Sequence, residues 1–163
     1  MIPLPDPPLR WPGPIQPAVD ALELVLRPWR PDDAPALAAA WADAEIQRWT
    51  GVPDQRDLAA ADRWIAGDEV RRERELSLDL VVWRAGHLAG EVGLSALDRR
   101  AGTVEIGWWT MERDRGQGVA SAASALLAAW ASSTLGVAVV ARCDPANPAS
   151  VVVARRSGAM VLV

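Results

Sequence analysis

Thr103-Val-Glu-Ile-Gly-Trp-Trp-Thr-Met-Glu-Arg-Asp-Arg-Gly-Gln-Gly-Val-Ala120 reads as three successive pieces of backbone. Thr103, Val104, Ile106 and the Trp108-Trp109 pair are β-formers, and Glu105 and Gly107 alternate with apolar neighbours, so the stretch opens as a strand. A charged turn and a short glycine loop follow. From about Val119 an Ala/Leu-rich run sets Val119, Ala123, Leu126 and Trp130 on one face at helical spacing. The unit is strand, glycine loop, helix.

That order suits an anion. The first turn of a helix carries unpaired N–H groups and the positive end of the macrodipole. Gly116 and Gly118 remove the Cβ atoms that would keep a ligand away. The competing reading is a tight strand-to-helix turn with no ligand, and the loop alone leaves both open. No Gly-Lys-Ser/Thr follows, which excludes a Walker loop. Gly-Gln-Gly-Val-Ala-Ser also lacks the third small residue of a dinucleotide fingerprint.

Arg115-Gly-Gln-Gly118-Val-Ala120 fits Arg-x-x-Gly-x-Ala and resembles the acyl-CoA pyrophosphate loop, Q/R-x-x-G-x-G/A, of GNAT-type N-acetyltransferases. Leu26-Arg-Pro-Trp-Arg-Pro-Asp-Asp-Ala34 resembles the first strand and helix entry of the RimJ/RimL-like branch. Asn147-Pro-Ala-Ser150, with Gly158 eleven positions after Asn147, resembles that branch's Asn-x-x-Ser…Gly-Phe segment. Together these stretches cover residues 22–163 in the family's order. The resemblance implies a GNAT-like α/β (α+β) fold, with a mixed, mostly antiparallel sheet flanked by helices and a shortened C-terminal strand.

Composition sets wide bounds. A chain of 163 residues, half of them apolar, is one domain with a real core. No apolar run approaches the ~20 residues that span a bilayer, and Met1-Ile-Pro-Leu-Pro is no signal peptide. One cysteine and one histidine exclude a disulfide framework and make a metal site unexpected. A net charge of −4 argues against nucleic acid. The simplest location is cytoplasmic. The chain has no Lys, Phe or Tyr against 17 Arg and nine Trp, which reads as GC-rich codon usage. No tyrosine acid is available to any mechanism.

In chain order, residues 1–20 form a proline-rich arm, and residues 21–163 the domain. Leu22–Leu26 is a first strand, and Asp32 or Asp33 caps a helix with Leu37, Trp41 and Ala44 inward. A second helix runs from Asp57 into the Arg71–Glu75 cluster, read as a solvated face. Leu76–Trp83 and Leu88–Leu97 form a hairpin, with His87 incidental because no carboxylate accompanies it in sequence. After the helix ending near Leu135-Gly136, Val137–Cys143 is a strand buried on both faces. A short helix over Ser150–Ser157 and a last strand over Ala159–Val163 close the chain. In the family a further strand lies beside the equivalent of Val137–Cys143. Here that edge is met by the final segment, by the N-terminal arm or by a second chain in a homodimer.

The resemblance implies transfer of an acetyl group from acetyl-CoA, as co-substrate, to a primary amine on a protein N-terminus or a small molecule. The non-catalytic rival is an acyl-CoA-binding or dimerisation module, and a further rival is a nucleotide-binding module. Glu105, ten residues before Arg115, is the general base or else a strand carboxylate paired with an arginine. Glu91 on the preceding strand is its competitor. In the family, backbone amides around Trp109, Thr110 and Met111 hold the pantetheine arm and thioester carbonyl. The loop Arg115, Gly116, Gln117, Gly118, Val119, Ala120 takes the pyrophosphate, Ser121 is within reach of a phosphate, and Arg115 either contacts a phosphate or packs over the loop. Asn147 and Ser150 correspond to the pair near the thiol, with Ser150 as acid, as helix N-cap, or both.

Overall fold

The computed structural model describes residues 22–163. The arm assigned to residues 1–20 lies outside the described residues. Six strands form one sheet in the order β1 to β6: Leu24–Pro28, Ser77–Arg84, His87–Asp98, Thr103–Thr110, Ala138–Arg142 and Met160–Leu162. β1 to β4 pair antiparallel in sequence order, whereas β5 runs parallel to β4 and β6 parallel to β5. The mixed, mostly antiparallel sheet flanked by helices is the expected one.

The strand pleat separates two cores. One face sends Leu78, Leu80, Val92, Leu94, Val104 and Ile106 into a cluster with Val119, Ala123 and Leu127 of α5 (Val119–Trp130). α6 (Pro148–Ser157) packs beside α5 on this side and buries Ala154. The opposite face sends Val81 and Trp109 against Trp29, Leu37, Trp41 and Ile65, which come from the N-terminal helices and their lead-in. Burying each Val, Leu or Ile side chain among these contributes roughly 1.5–3 kcal/mol.

Two helices expected to be continuous are broken. The first divides into α1 (Ala34–Ala42) and α2 (Ala44–Trp49) at Asp43, which is extended and accepts from the amides of Glu45 and Ile46. An aspartate that recaps the chain in mid-run starts a new helix at a new angle. The second divides into α3 (Leu58–Ala66) and α4 (Asp68–Glu73) at Gly67. The Arg71–Glu75 run is also not a plain solvated face. Arg71 lies 4.0 Å over the Trp64 ring, donates to Trp64 O at 2.7 Å, and has Asp79 of β2 3.5 Å away.

β4 and β5 pair over Thr103–Glu105 against Ala138–Val140, and then their ladder ends. β4 continues to Thr110 and β5 to Arg142, so the strands part, and the clefts open at that parting. On its other side β5 meets β6 directly, with Val140 opposite Met160 and Arg142 opposite Leu162. The final segment therefore pairs with this edge directly, which is one of the closures expected for it.

Candidate active site

The glycine loop is built as the sequence implies. Gly116 and Gly118 have φ of +71° and +82°, and a Cβ on either would meet no atom within 4 Å. Both α-carbons therefore face open space. Gly118 is the N-cap of α5, and no side chain caps that end. The first-turn amides from Val119 to Ser121 are left for a ligand.

Around the loop, polar side chains act as a frame. Asp114 is 3% exposed and lies 3.2 Å from Arg84 Nη1 and 3.0 Å from His87 Nε2. His87, expected to be incidental for want of a carboxylate, has one contributed by the turn before the loop. Arg84 Nη1 also donates to Gln117 Oε1 at 2.7 Å, and Gln117 Nε2 donates to Arg113 O at 2.7 Å. Arg115 Nη2 donates to Asp43 Oδ2 at 2.8 Å. This contact packs Arg115 over the loop, and Arg115 also lines the cleft beside it. Long-range partners such as Asp43 and Arg84 are invisible to a local motif.

Two clefts flank the parted strands. The first, about 450 Å³, runs over Gly116, Gly118, Ala120 and Ser121 to Asn147 and Ser150. Arg115, Val119, Trp109 and Thr110 also line it. Met111 packs with the second core, and its amide donates to Ala89 O at 2.8 Å. Trp49 and Thr50 from the end of α2, and Arg156 on α6, line this cleft too, and none of them belongs to a recognisable motif. Nothing near the glycine motif signals them, because they arrive from distant helices.

The second cleft, about 420 Å³, lies on the N-terminal helix side of the sheet, with Asp79, Glu91, Gly93 and Gly107 among its lining. Trp41 and Trp64 wall it. The two clefts share Trp49, Thr50, Trp108, Trp109 and Ser150. Anything long and thin held in the first reaches the second at these residues.

The carboxylates Glu91 and Glu105 stand apart in this geometry. Glu91 Oε1 accepts from Trp109 Nε1 and Oε2 from Trp29 Nε1, each at 3.1 Å. Burial, and then the charge of Asp79, push its pKa up to about 8 against the pull of the two indole donors. Glu105 instead accepts from Arg142 Nε at 2.8 Å and lines neither cleft. The pairing with an arginine is the alternative role the sequence left open for it.

Asn147 and Ser150 divide the work expected of them. Asn147 is the N-cap of α6, and its Oδ1 accepts from Ser150 N at 3.1 Å. Ser150 is thus inside the helix, starting at Pro148, and is not its cap. Its Oγ lies 3.5 Å from Cys143 Sγ, at the junction of the clefts.

A parted strand pair beside an uncapped helix and a glycine loop defines a site of the acyl-CoA-dependent acyltransferase type. Residues 23–160 match the acetyltransferase (GNAT) domain, and the chain belongs to that family of N-acetyltransferases. An "uncharacterized N-acetyltransferase p20" of Bacillus licheniformis is 25% identical over 136 residues, which cover 78% of this chain and 74% of that protein. Mycobacterium smegmatis RimJ, solved with a CoA disulfide, superimposes with a TM-score of 0.76 at 20% identity, covering 89% of this chain and 74% of that one. RimL, a ribosomal L7/L12 α-N-protein acetyltransferase solved with coenzyme A, gives 0.70 at 24% identity over 85% and 80% of the respective chains. No helix among the described residues is long and apolar enough to cross a membrane, and among them no cluster of His, Cys, Asp and Glu is placed to hold a metal.

Proposed function

We propose that this protein transfers the acetyl group of acetyl-CoA to a primary amine by direct attack, with the first cleft holding the co-substrate and the second the acceptor. The observation that carries the reading is the junction of the clefts at Trp108, Trp109 and Ser150, with Glu91 in the acceptor cleft only. The loop amides at Gly116–Ser121 take the pyrophosphate, and the β4 edge beyond Glu105 takes the pantetheine arm.

Acetyl-CoA supplies an activated acyl carbon on a thiol leaving group. The amine must arrive uncharged, and the Glu91 carboxylate takes its proton. A carbon–nitrogen bond forms, the carbon–sulfur bond breaks, and Ser150 Oγ hydrogen-bonds or protonates the departing thiolate. We assign the base to Glu91 over Glu105 because Glu91 lines the acceptor cleft, whereas Glu105 is committed to Arg142.

The direct test is release of free thiol from acetyl-CoA with a panel of amines, beside thermal shifts with CoA and with ATP. Stabilisation by CoA but not ATP, with amine-dependent thiol release, is expected. CoA binding with no release for any amine leaves a non-catalytic acyl-CoA-binding module. A shift with ATP alone overturns the reading.

A further inference from the structure

Glu91 shares its side of the second cleft with another carboxylate. Asp79 of β2 is opposite Gly93 of β3, and Val81 is opposite Glu91. Asp79 and Glu91 are therefore diagonal neighbours on one face of the sheet, with Cβ atoms ~7–8 Å apart. Gly93 lets the two carboxyls come nearer than that. A Cβ on Gly93 would stand 2.9 Å from Asp79 Oδ1, so the Asp79 carboxyl leans across β3 into the space a side chain would fill. Glu91 is the next side chain along that face of β3.

Arg71 of α4 governs where Asp79 lies. Its Nε is 3.5 Å from Asp79 Oδ2, and Ser77 Oγ donates to the same oxygen at 2.5 Å. Arg71 is itself clamped. Its guanidinium lies 4.0 Å over the Trp64 ring, Nη1 donates to Trp64 O at 2.7 Å, and Nη2 is 3.8 Å from Asp68 Oδ1. Neither Nε nor Nη2 makes a hydrogen bond, although both are buried. Arg71 thus acts on Asp79 as a fixed positive charge and not as a hydrogen-bonded fork. Asp79 Oδ1 remains on the Gly93 side, with Glu91.

The two charges act on Glu91 in opposite senses. A carboxylate beside a carboxyl disfavours its ionisation, and a guanidinium behind both eases it. Burial first, and Asp79 next, raise the pKa of Glu91, while the Trp109 and Trp29 indoles and then Arg71 lower it. The indoles are uncharged, so β4 and the lead-in to α1 bring no ion to Glu91. Arg142, which also lines the cleft, is paired with Glu105. Asp79 and Arg71 are the ions left to set the balance. Charges that are partly buried are screened less than exposed ones.

We propose that Asp79 and Arg71 are positioning residues for proton abstraction: Asp79, held over Gly93 by Arg71, makes Glu91 a stronger base, and Arg71 limits the effect. The inference rests on the acetyl-transfer reading for the task of Glu91, and adds that one ion pair sets its basicity. Two measurements on the full chain test it. Carbon-13 NMR of glutamate-labelled protein follows the Glu91 carboxyl through pH, its signal identified by loss in Glu91→Gln. Thiol release from acetyl-CoA, with one amine throughout, gives the ratio of variant to parent rate at each pH, in which the amine's own proton cancels.

Asp79→Asn should move the Glu91 midpoint down by about 1 pH unit, and Arg71→Gln should move it up by a similar amount. Arg71→Lys keeps the charge and should stay close to the parent. The double variant leaves neither partner of the pair as an unmatched ion, so it remains informative if a single variant folds poorly. Its midpoint should fall on the Asp79→Asn side, because the Asp79 effect is the larger. The rate ratios should follow the same order. A merely structural pair would not give opposite shifts, since loss of either partner would loosen the cleft alike. Shifts of one sign in both single variants overturn the inference, as does a midpoint that moves in neither. Undiminished thiol release in Glu91→Gln would sink the role of Glu91 alone, since the NMR midpoint is read without acetyl-CoA or amine.

Discussion

Arg115 and Asp43, 72 positions apart, are joined by a 2.8 Å hydrogen-bonded ion pair that ties the glycine loop to the start of α2. The Arg115 Nε also donates to Thr110 O at 3.0 Å, so one guanidinium spans the end of β4, the loop and a distant helix. Burial opposes the charge on Asp43. The Arg115 bond and the amides of Ile46 and Glu45 outweigh it and hold the carboxyl below its ordinary 3.8.

Removal of either partner should loosen the loop. Asp43→Ala is expected to cost about 1 kcal/mol through the lost cap alone. Both Asp43→Ala and Arg115→Gln should weaken CoA binding several-fold by calorimetry. The double variant should bind like the weaker single one, because both changes break the same contact. Additive losses would mean that Arg115 meets the phosphates directly.

Glu91 makes a kinetic and a thermodynamic expectation. Glu91→Gln should lower kcat by roughly 10²–10⁴ with CoA affinity kept. Glu105→Gln should leave the rate close to the parent's. The parent rate should climb with pH through about 8, where Glu91 gives up its proton. In stability the sign runs the other way. Native Glu91 keeps its proton to about pH 8 and an unfolded chain loses it near 4.5, so the native state binds more protons between those values. The contribution of Glu91 is full below pH 4.5 and is lost as pH rises to about 8. Chemical denaturation across that window should show a flatter slope in Glu91→Gln.

The strand-loop-helix unit was legible because its signals are local: alternation in Thr103–Thr110, paired glycines, and helical spacing after Val119. The family resemblance likewise singled out Asn147 and Ser150 as the pair near the thiol, and both line the first cleft. The partners that give these residues their roles were not legible, since Arg142, Asp43, Trp29 and Asp114 meet them only through tertiary packing. The choice between Glu91 and Glu105 turns on such partners, and two glutamates on adjacent strands look alike in sequence. The break at Asp43 was readable in principle, as a capping aspartate two residues before Glu45, but helical periodicity on both sides masked it.

Gly118 is where the loop tolerates least. Its φ of +82° disfavours any side chain, and the space above it is the proposed pyrophosphate position. Gly118→Val adds a β-branched side chain in a left-handed conformation, at a cost of order 1–3 kcal/mol. Weaker CoA binding, beyond what the lost stability explains, is the expected result by calorimetry on the folded fraction. Unchanged affinity would remove the loop from the cofactor site.

Asn147 and Ser150 offer the sharpest separation of a structural from a chemical role, because they adjoin in one turn. Asn147 Oδ1 accepts from Ser150 N, so Asn147→Ala removes the cap of α6 and should cost about 1 kcal/mol. Ser150 contributes only its amide to that cap, and Ser150→Ala keeps the amide. Its stability should therefore stay within about 0.5 kcal/mol of the parent. The hydroxyl, 3.5 Å from Cys143 Sγ at the junction of the clefts, is what the change deletes. Thiol release should slow in Ser150→Ala with amine affinity retained, and Ser150→Thr should restore part of the rate. A stability loss without a rate loss in Ser150→Ala would return the serine to a purely structural role and leave thiolate protonation to solvent.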